Sequence, residues 1–269
     1  MRTGKSRQGF TLVELAIVLV IIGLLVGGVL VGQDLIKAAM IRSTVSDIEK
    51  VNAAATTFRT KYGGLPGDIT SSRAHEYGLI SEVVGRNGAP GRGDGNNQID
   101  GCTSGAATLG CETALFWVDL SVAGLIPQNL TKYTASALMI ADQTTTSGVG
   151  EYLPKQKLRD SAILHAYSFQ GKNYLYLGSA TGVTAGVLNV QPGVTPNEAR
   201  SIDEKFDDAY PLTGVVRSLN NLTTLDNDTT VTANTCIDGT IVAPNPKVYN
   251  VIDANMNNVN CMLQLRTSF

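Results

Sequence analysis

The sequence predicts an α+β fold in which one long N-terminal helix packs on an antiparallel β-sheet head, and three observations in the 269 residues carry this prediction. Residues 10–32 form an apolar run, residues 41–62 carry apolar side chains at steps of three and four, and beyond residue 65 short strand-like segments alternate with Gly-, Asn- and Thr-rich turns. A composition of 43% hydrophobic and 16% charged residues describes a folded chain. The formal charge of -2 provides no basic field for wrapping nucleic acid or docking to acidic lipid, and two His with four Cys leave little material for a metal enzyme. A mean hydropathy of +0.06 is high for so polar a head, so the apolar weight is concentrated elsewhere, at the N-terminus.

The first element is the run from Phe10 to Gly32, FTLVELAIVLVIIGLLVGGVLVG, whose polar members are Thr11 and Glu14. As a helix it measures roughly 34 Å, enough to cross a bilayer. Arg2, Lys5 and Arg7 precede it without an acid, so the positive-inside bias holds the N-terminus in the cytoplasm and sends the rest outward. A cleaved signal peptide fits poorly, because no small-x-small site closes the far end of the run. Glu14 is costly in such a span, about 2.5 to 3.5 kcal/mol on insertion scales, and so calls for a partner.

Gly9, Phe10, Thr11, Leu12, Val13 and Glu14, after a short basic leader and before an apolar helix, resemble the start of type IV prepilins and type II secretion pseudopilins. The resemblance implies cleavage after Gly9 by a prepilin peptidase, methylation of the new amino group of Phe10, and extraction of the subunit from the inner membrane into a filament. It further implies that Glu14 pairs with the Phe10 amine of a neighbouring subunit; two charges, each costly alone, are tolerable when paired across an interface. Loss of residues 1–9 removes three basic side chains and brings the formal side-chain charge to -5. The implied partners are other pilin subunits, the peptidase and methylase, and an inner-membrane assembly platform with its ATPase. Such helices loosen on assembly, commonly near a proline; none is present, so the softening is assigned to Gly27, Gly28 and Gly32, which with Gly23 form small-xxx-small pairs.

The helix continues as an amphipathic one. Ile41, Val45, Ile48, Val51, Ala55, Phe58 and Tyr62 form a stripe, with Lys37, Arg42, Asp47, Glu49, Lys50 and Lys61 off it. Gly63-Gly64-Leu65-Pro66 stops it, giving about fifty residues and roughly 75 to 80 Å. At about three heptads the stripe is short for a coiled coil, so it is assigned to the protein's own head. The chain thus divides into a leader at 1–9, a helix at 10–62 (10–32 membrane and assembly, 33–62 amphipathic) and a head at 63–269.

Within the head, Glu112 to Gly124 reads as a short helix. Ala162–Phe169 and Tyr174–Leu177 read as a hairpin joined through Gln170-Gly171-Lys172-Asn173. Thr195-Pro196-Asn197-Glu198 supplies an N-cap, a first-turn proline and a capping-box acid for a helix through Phe206. Residues 62–68 (YGGLPGD), 116–126 and 199–214 look like recurring segments of larger bacterial pilin-like proteins.

Four cysteines, Cys102, Cys111, Cys236 and Cys261, lie on the exported side, where disulfides persist. They allow three pairings; locality favours Cys102–Cys111 and Cys236–Cys261, the longer loop contributing roughly 3 to 4 kcal/mol on the chain-entropy model. The second loop resembles the C-terminal disulfide-bounded region of type IV pilins. No C-x-x-C pair supports zinc.

In RGDGNNQIDG, residues 92–101, placing Ile99 at the eighth position of a calcium loop puts Asp94, Asn96 and Asp100 at ligand positions three, five and nine. Arg92 and Thr103 then stand where the first acid and the bidentate glutamate belong, so calcium is the minor reading beside an Asx- and Gly-stabilised turn. Arg92-Gly93-Asp94 is a chance tripeptide rather than an integrin motif. Asp203, Asp207 and Asp208 read as turn and strand-edge acceptors, and His75 and His165 as isolated histidines. No nucleophile elbow, phosphate loop or dinucleotide fingerprint occurs. The expectation is a non-enzymatic filament subunit without a cofactor, its alternatives a secretion pseudopilin, whose heads are usually smaller, and a minor tip pilin binding a surface, DNA or a phage.

Overall fold

The computed structural model describes residues 11–79, 92–101, 111–130, 150, 152–184, 187–219, 236–238, 248–251 and 258–269. The first helix, α1 (Leu12–Tyr62, 51 residues), starts at Thr11 in extended conformation and ends at Gly63. Gly63 adopts φ 71°, and its N–H closes the last turn on the Arg59 carbonyl, as a left-handed cap does. The helix is unbroken through Gly23, Gly27, Gly28 and Gly32. A Cβ added at any of the four would meet nothing within 4 Å, so these glycines answer to no contact within the subunit.

Two unlike halves share this helix. From Leu12 to Ile36 the large apolar side chains are half or more exposed, and the most apolar stretch has no burial at all. From Thr44 onward, Ile48, Val51, Ala54, Ala55, Phe58 and Tyr62 enter the core, while Ile41 and Val45 are partly buried against it. The stripe therefore packs on the subunit's own head, as expected, with Thr44 and Ala54 as members the periodicity omitted.

After a six-residue helix α2 (Ser71–Glu76), which the sequence did not announce, come α3 (Glu112–Val122) and α4 (Pro196–Phe206). The bounds of α4 follow from a Thr195–Glu198 capping box with proline in the first turn. The strands are β1 (Ala162–Phe169), β2 (Lys172–Thr184), β3 (Val187–Gln191), β4 (Val216–Leu219) and β5 (Met262–Arg266). All pair antiparallel in the order β1-β2-β5-β4, and β3 joins the edge of β2 that β5 occupies further along.

The β1–β2 hairpin is tighter than expected. Phe169 pairs with Lys172, and Gln170 (φ 49°) and Gly171 (φ 76°) alone form the turn, the two positive φ values of type I′. Strand β2 also runs on to Thr184 instead of ending at Leu177. Cys236 and Cys261 are disulfide-bonded, fastening the segment ahead of β5. Cys111 is disulfide-bonded too; its expected partner Cys102 lies outside the described residues.

Register divides the sheet into two faces. Leu164, Leu175, Leu177, Leu263, Leu265 and Val216 share one, and Leu164 lines the same groove as Val51 and Ala54 of α1 and Trp117 of α3, which places the helices on this side. The other face carries the row His165, Tyr176, Gln264, Arg217 across β1, β2, β5 and β4. Its first three side chains are buried.

Because only the second half of α1 belongs to the core, truncations along the helix should separate sharply. Phe58→Ala should destabilise the head by about 3–5 kcal/mol, whereas Leu24→Ala should stay within about 0.5 kcal/mol. Urea unfolding in detergent, followed by the single tryptophan, Trp117, measures both.

Candidate functional site

Two places concentrate functional chemistry. At the start of α1, Thr11 accepts from the Glu14 backbone N–H at 3.3 Å, and Glu14 Oε2 accepts from the Thr11 N–H at 2.8 Å and hydroxyl at 2.9 Å. This capping box satisfies the first amides of the helix and sets the carboxylate at the positive end of the helix dipole. Both bonds end on Oε2, so Oε1 retains acceptor capacity. The sequence marked Glu14 as costly but missed that Thr11 holds it; the T-x-x-E spacing was the available signal. Gly9 and Phe10 lie outside the described residues.

The second place is the loop at 92–101. Expected ligands Asp94, Asn96 and Asp100 are neighbours there, but the Asn96 amide donates to both carboxylates, 3.2 Å to Asp94 and 3.2 Å to Asp100. Asn96 thus acts as a donor between two acids, and the linear calcium-loop alignment does not describe this geometry. The carboxylates that converge are instead Asp68, Asp94 and Glu112, with oxygens within 4.8 Å of one another. Asp68 and Glu112 were missed because they come from the turn after α1 and the first residue of α3, both distant in sequence.

Their main work is local. Asp68 accepts from the N–H groups of Gly95, Asn96 and Asn97 at 2.7, 3.2 and 2.7 Å, and Glu112 from those of Gly93 and Asp100 at 2.6 and 2.9 Å. Asn173 of β2 accepts from the Ile99 N–H at its carboxamide oxygen, at 3.0 Å, and donates from its carboxamide nitrogen to the Asn97 carbonyl at 3.0 Å. The loop is thereby hung from two buried carboxylates and the sheet. Gly93 is buried, Arg92 and Asp94 are partly exposed, and the Asp94 carboxylate is engaged by the Asn96 backbone and side-chain N–H groups within the loop.

Burial pushes the Asp68 carboxyl up to about 7 and that of Glu112 up to about 8, with neighbouring carboxylates adding to the shift and the loop amides opposing it. Protons therefore neutralise part of the cluster near neutrality. A hard divalent cation such as calcium, held by Asp68, Asp94 and Glu112, is the other group that chemistry accommodates.

The remaining acids behave as turn acceptors. Asp203 is buried and takes the Tyr249 hydroxyl at 2.8 Å; burial first, then the Asp207 side chain, raises its carboxyl to about 8. Asp207 accepts from the backbone N–H groups of Val215 and Val216, and Asp208 from that of Tyr210 at 2.9 Å. His165 is buried in β1 and stacks on Tyr167 at 5.9 Å, while His75 is exposed on α2.

Among known families, a model described as the prokaryotic N-terminal methylation motif matches residues 4–30, the signature of type IV prepilins and pseudopilins. No curated protein and no solved structure matches the chain. The motif supports a type IV pilin-like or pseudopilin protein, and the long apolar helix, antiparallel sheet and C-terminal disulfide make an α+β pilin fold. The same helix and motif fit a membrane-anchored pilin processed by a prepilin peptidase.

For carboxyls whose folded pKa is raised, stability is fully present below the unfolded value near 4 and is lost as pH rises through about 7 and 8. In chelator, Tm should therefore fall between pH 5.5 and 8.5, each kcal/mol lost lowering it by roughly 2–4 °C in a domain of this size. Calcium acting at these carboxylates should oppose the fall at pH 8.5 and change nothing at pH 5.5, where protons hold them. Differential scanning calorimetry across the series checks both arms.

Proposed function

We propose that the chain is a structural subunit, major or minor, of a type IV pilus or related filament. It would be assembled through α1 after cleavage behind Gly9 and methylation of the Phe10 amine. The observation that carries this reading is the uncovered apolar half of α1: a regular helix with no burial against its own head needs lipid first and other subunits afterwards.

Glu14 would then set the stagger between subunits. The capping box occupies Oε2, and Oε1 would accept from the Phe10 ammonium group of a neighbour. Gly27, Gly28 and Gly32, which no intramolecular contact explains, would let this stretch loosen when it leaves the membrane for the filament. The mechanism is non-catalytic and uses no cofactor. A cation at Asp68, Asp94 and Glu112 would serve only to fasten the loop. Force would come from an inner-membrane platform and a cytoplasmic ATPase.

The size of the head favours a pilus over a secretion pseudopilus. A tip position with a ligand-binding head is the second reading, favoured by the basic recess described below. Imaging surface filaments of cells with and without the protein, with immunogold against the head, tests the proposal and places the subunit along the shaft or at the tip.

Glu14→Val should leave the protein in the membrane while reducing filaments at least tenfold, as counted by electron microscopy; normal filament numbers would refute the pairing. Replacing Gly27, Gly28 and Gly32 together by Ala should stiffen the helix by about 1 kcal/mol per site and slow assembly without loss of membrane insertion, read by fractionation and filament counts.

A further inference from the structure

We infer that the sheet face turned away from the helices carries a binding site for one small oxyanion group, a phosphate, sulfate or carboxylate, between β2, β4 and β5. This inference stands apart from the assembly reading. Pairing sets Tyr174 opposite Arg266 and Gln264 opposite Arg217, and Lys172 lies two residues before Tyr174 on the same face. Opposed residues in such ladders have Cβ atoms about 5 Å apart, so their polar ends reach a common point. Together with Gly214 and Val215 they line a recess of about 40 Å³. That is room for a single compact polar group and excludes a sugar ring or a base.

The charge of the recess is unlike that of the chain. Among the described residues its lining includes Lys172, Arg217 and Arg266 but no acid, in a protein whose formal charge is -2. Asp207 lies behind Gly214 and takes the backbone N–H groups of Val215 and Val216. Among the described residues, the side chains of Lys172 and Arg266 have no ion-pair or hydrogen-bond partner, and Arg266 is exposed. Guanidinium forks suit bidentate oxyanions, and a lysine adds a mobile point charge.

A second observation, independent of charge, points to a ligand. Gln264 is 2% exposed, and both its amide nitrogen and its amide oxygen lack a hydrogen-bond partner. A buried amide left unpaired at both ends opposes folding, and strands normally place Leu or Val at such a position. An oxyanion in the recess would accept from Nε2, and the Lys172 ammonium drawn in with it could donate to Oε1. The Cys236–Cys261 disulfide fixes the start of β5, the strand that carries Gln264 and Arg266, so the two donors are held in place before a ligand arrives.

Thermal unfolding of the full-length protein in detergent micelles tests the site, with sodium phosphate, sulfate or acetate compared with sodium chloride at equal ionic strength. At least one oxyanion should raise Tm saturably above chloride, and Lys172→Ala or Arg266→Ala should each weaken the apparent affinity at least tenfold. Gln264→Leu should raise Tm in chloride alone and abolish the oxyanion response. Should that variant not fold, Arg266→Gln, on an exposed side chain, gives the same reading. Lys50→Ala on α1 should change nothing. The inference is overturned if no oxyanion exceeds chloride, or if the Lys172 and Arg266 variants respond like the parent protein. It is also overturned if Tm in chloride rises with protein concentration and phosphate lowers it, since a carboxylate of a second copy would then fill the recess.

Discussion

Everything in this molecule is arranged around a helix whose two halves have different solvents. Between Leu12 and Ile36 the apolar side chains of α1 have no cover from their own chain. Each such side chain is worth about 1.5–3 kcal/mol when removed from water, so the exposed half forces a membrane or a neighbour upon the subunit. The second half, from Thr44 to Tyr62, buries one face in the head core. A single element therefore joins the uncovered apolar segment to the core of the head.

The same helix concentrates its polar requirements at its ends. Thr11 and Glu14 close the N-terminus by reciprocal hydrogen bonds, and Gly63 closes the C-terminus in a conformation that L side chains resist. Directly after that cap comes a tight turn. Gly67 (φ 83°) has its N–H bound by Asp119 at 2.7 Å, and a Cβ there would sit 2.3 Å from the Glu112 carbonyl oxygen. This close approach brings Asp68 next to the start of α3. The meeting of Asp68 with Glu112 is thus a consequence of packing α3 against the end of α1, and it gives the head a loop hung by its amides from two buried carboxyls.

The sheet completes the asymmetry. Its helix-side face is Leu-rich and continuous with α1 and α3, whereas its far face collects His165, Tyr167, Tyr174, Tyr176, Gln264 and Arg217. An assembly subunit needs only the first face to fold. Within that far face the Tyr176 hydroxyl is satisfied by the Ser179 and Gln191 carbonyls, whereas Gln264 keeps both amide atoms buried and unpaired.

Much of this was legible in the sequence because it rests on local periodicity and spacing. The uninterrupted apolar run, the i, i+3, i+4 stripe and the Gly-Gly-Leu-Pro stop fixed α1 nearly to the residue, since a helix face and a helix stop depend on neighbours a few positions away. The Thr195–Glu198 capping box and strand β1 were readable for the same reason. What the tertiary structure alone decided depends on residues far apart in the chain: the β3, β4 and β5 pairings, whose segments are too short to announce themselves, and the meeting of Asp68 with Glu112 across 44 positions. The loop at 92–101 shows the difference most clearly. Its acids were visible, but a linear motif could not reveal that Asn96 faces them as a donor or that carboxylates from two other segments bind the loop's amides. Local sequence sets φ, ψ and side-chain direction; only chain closure sets which distant polar groups come within hydrogen-bonding reach of one another.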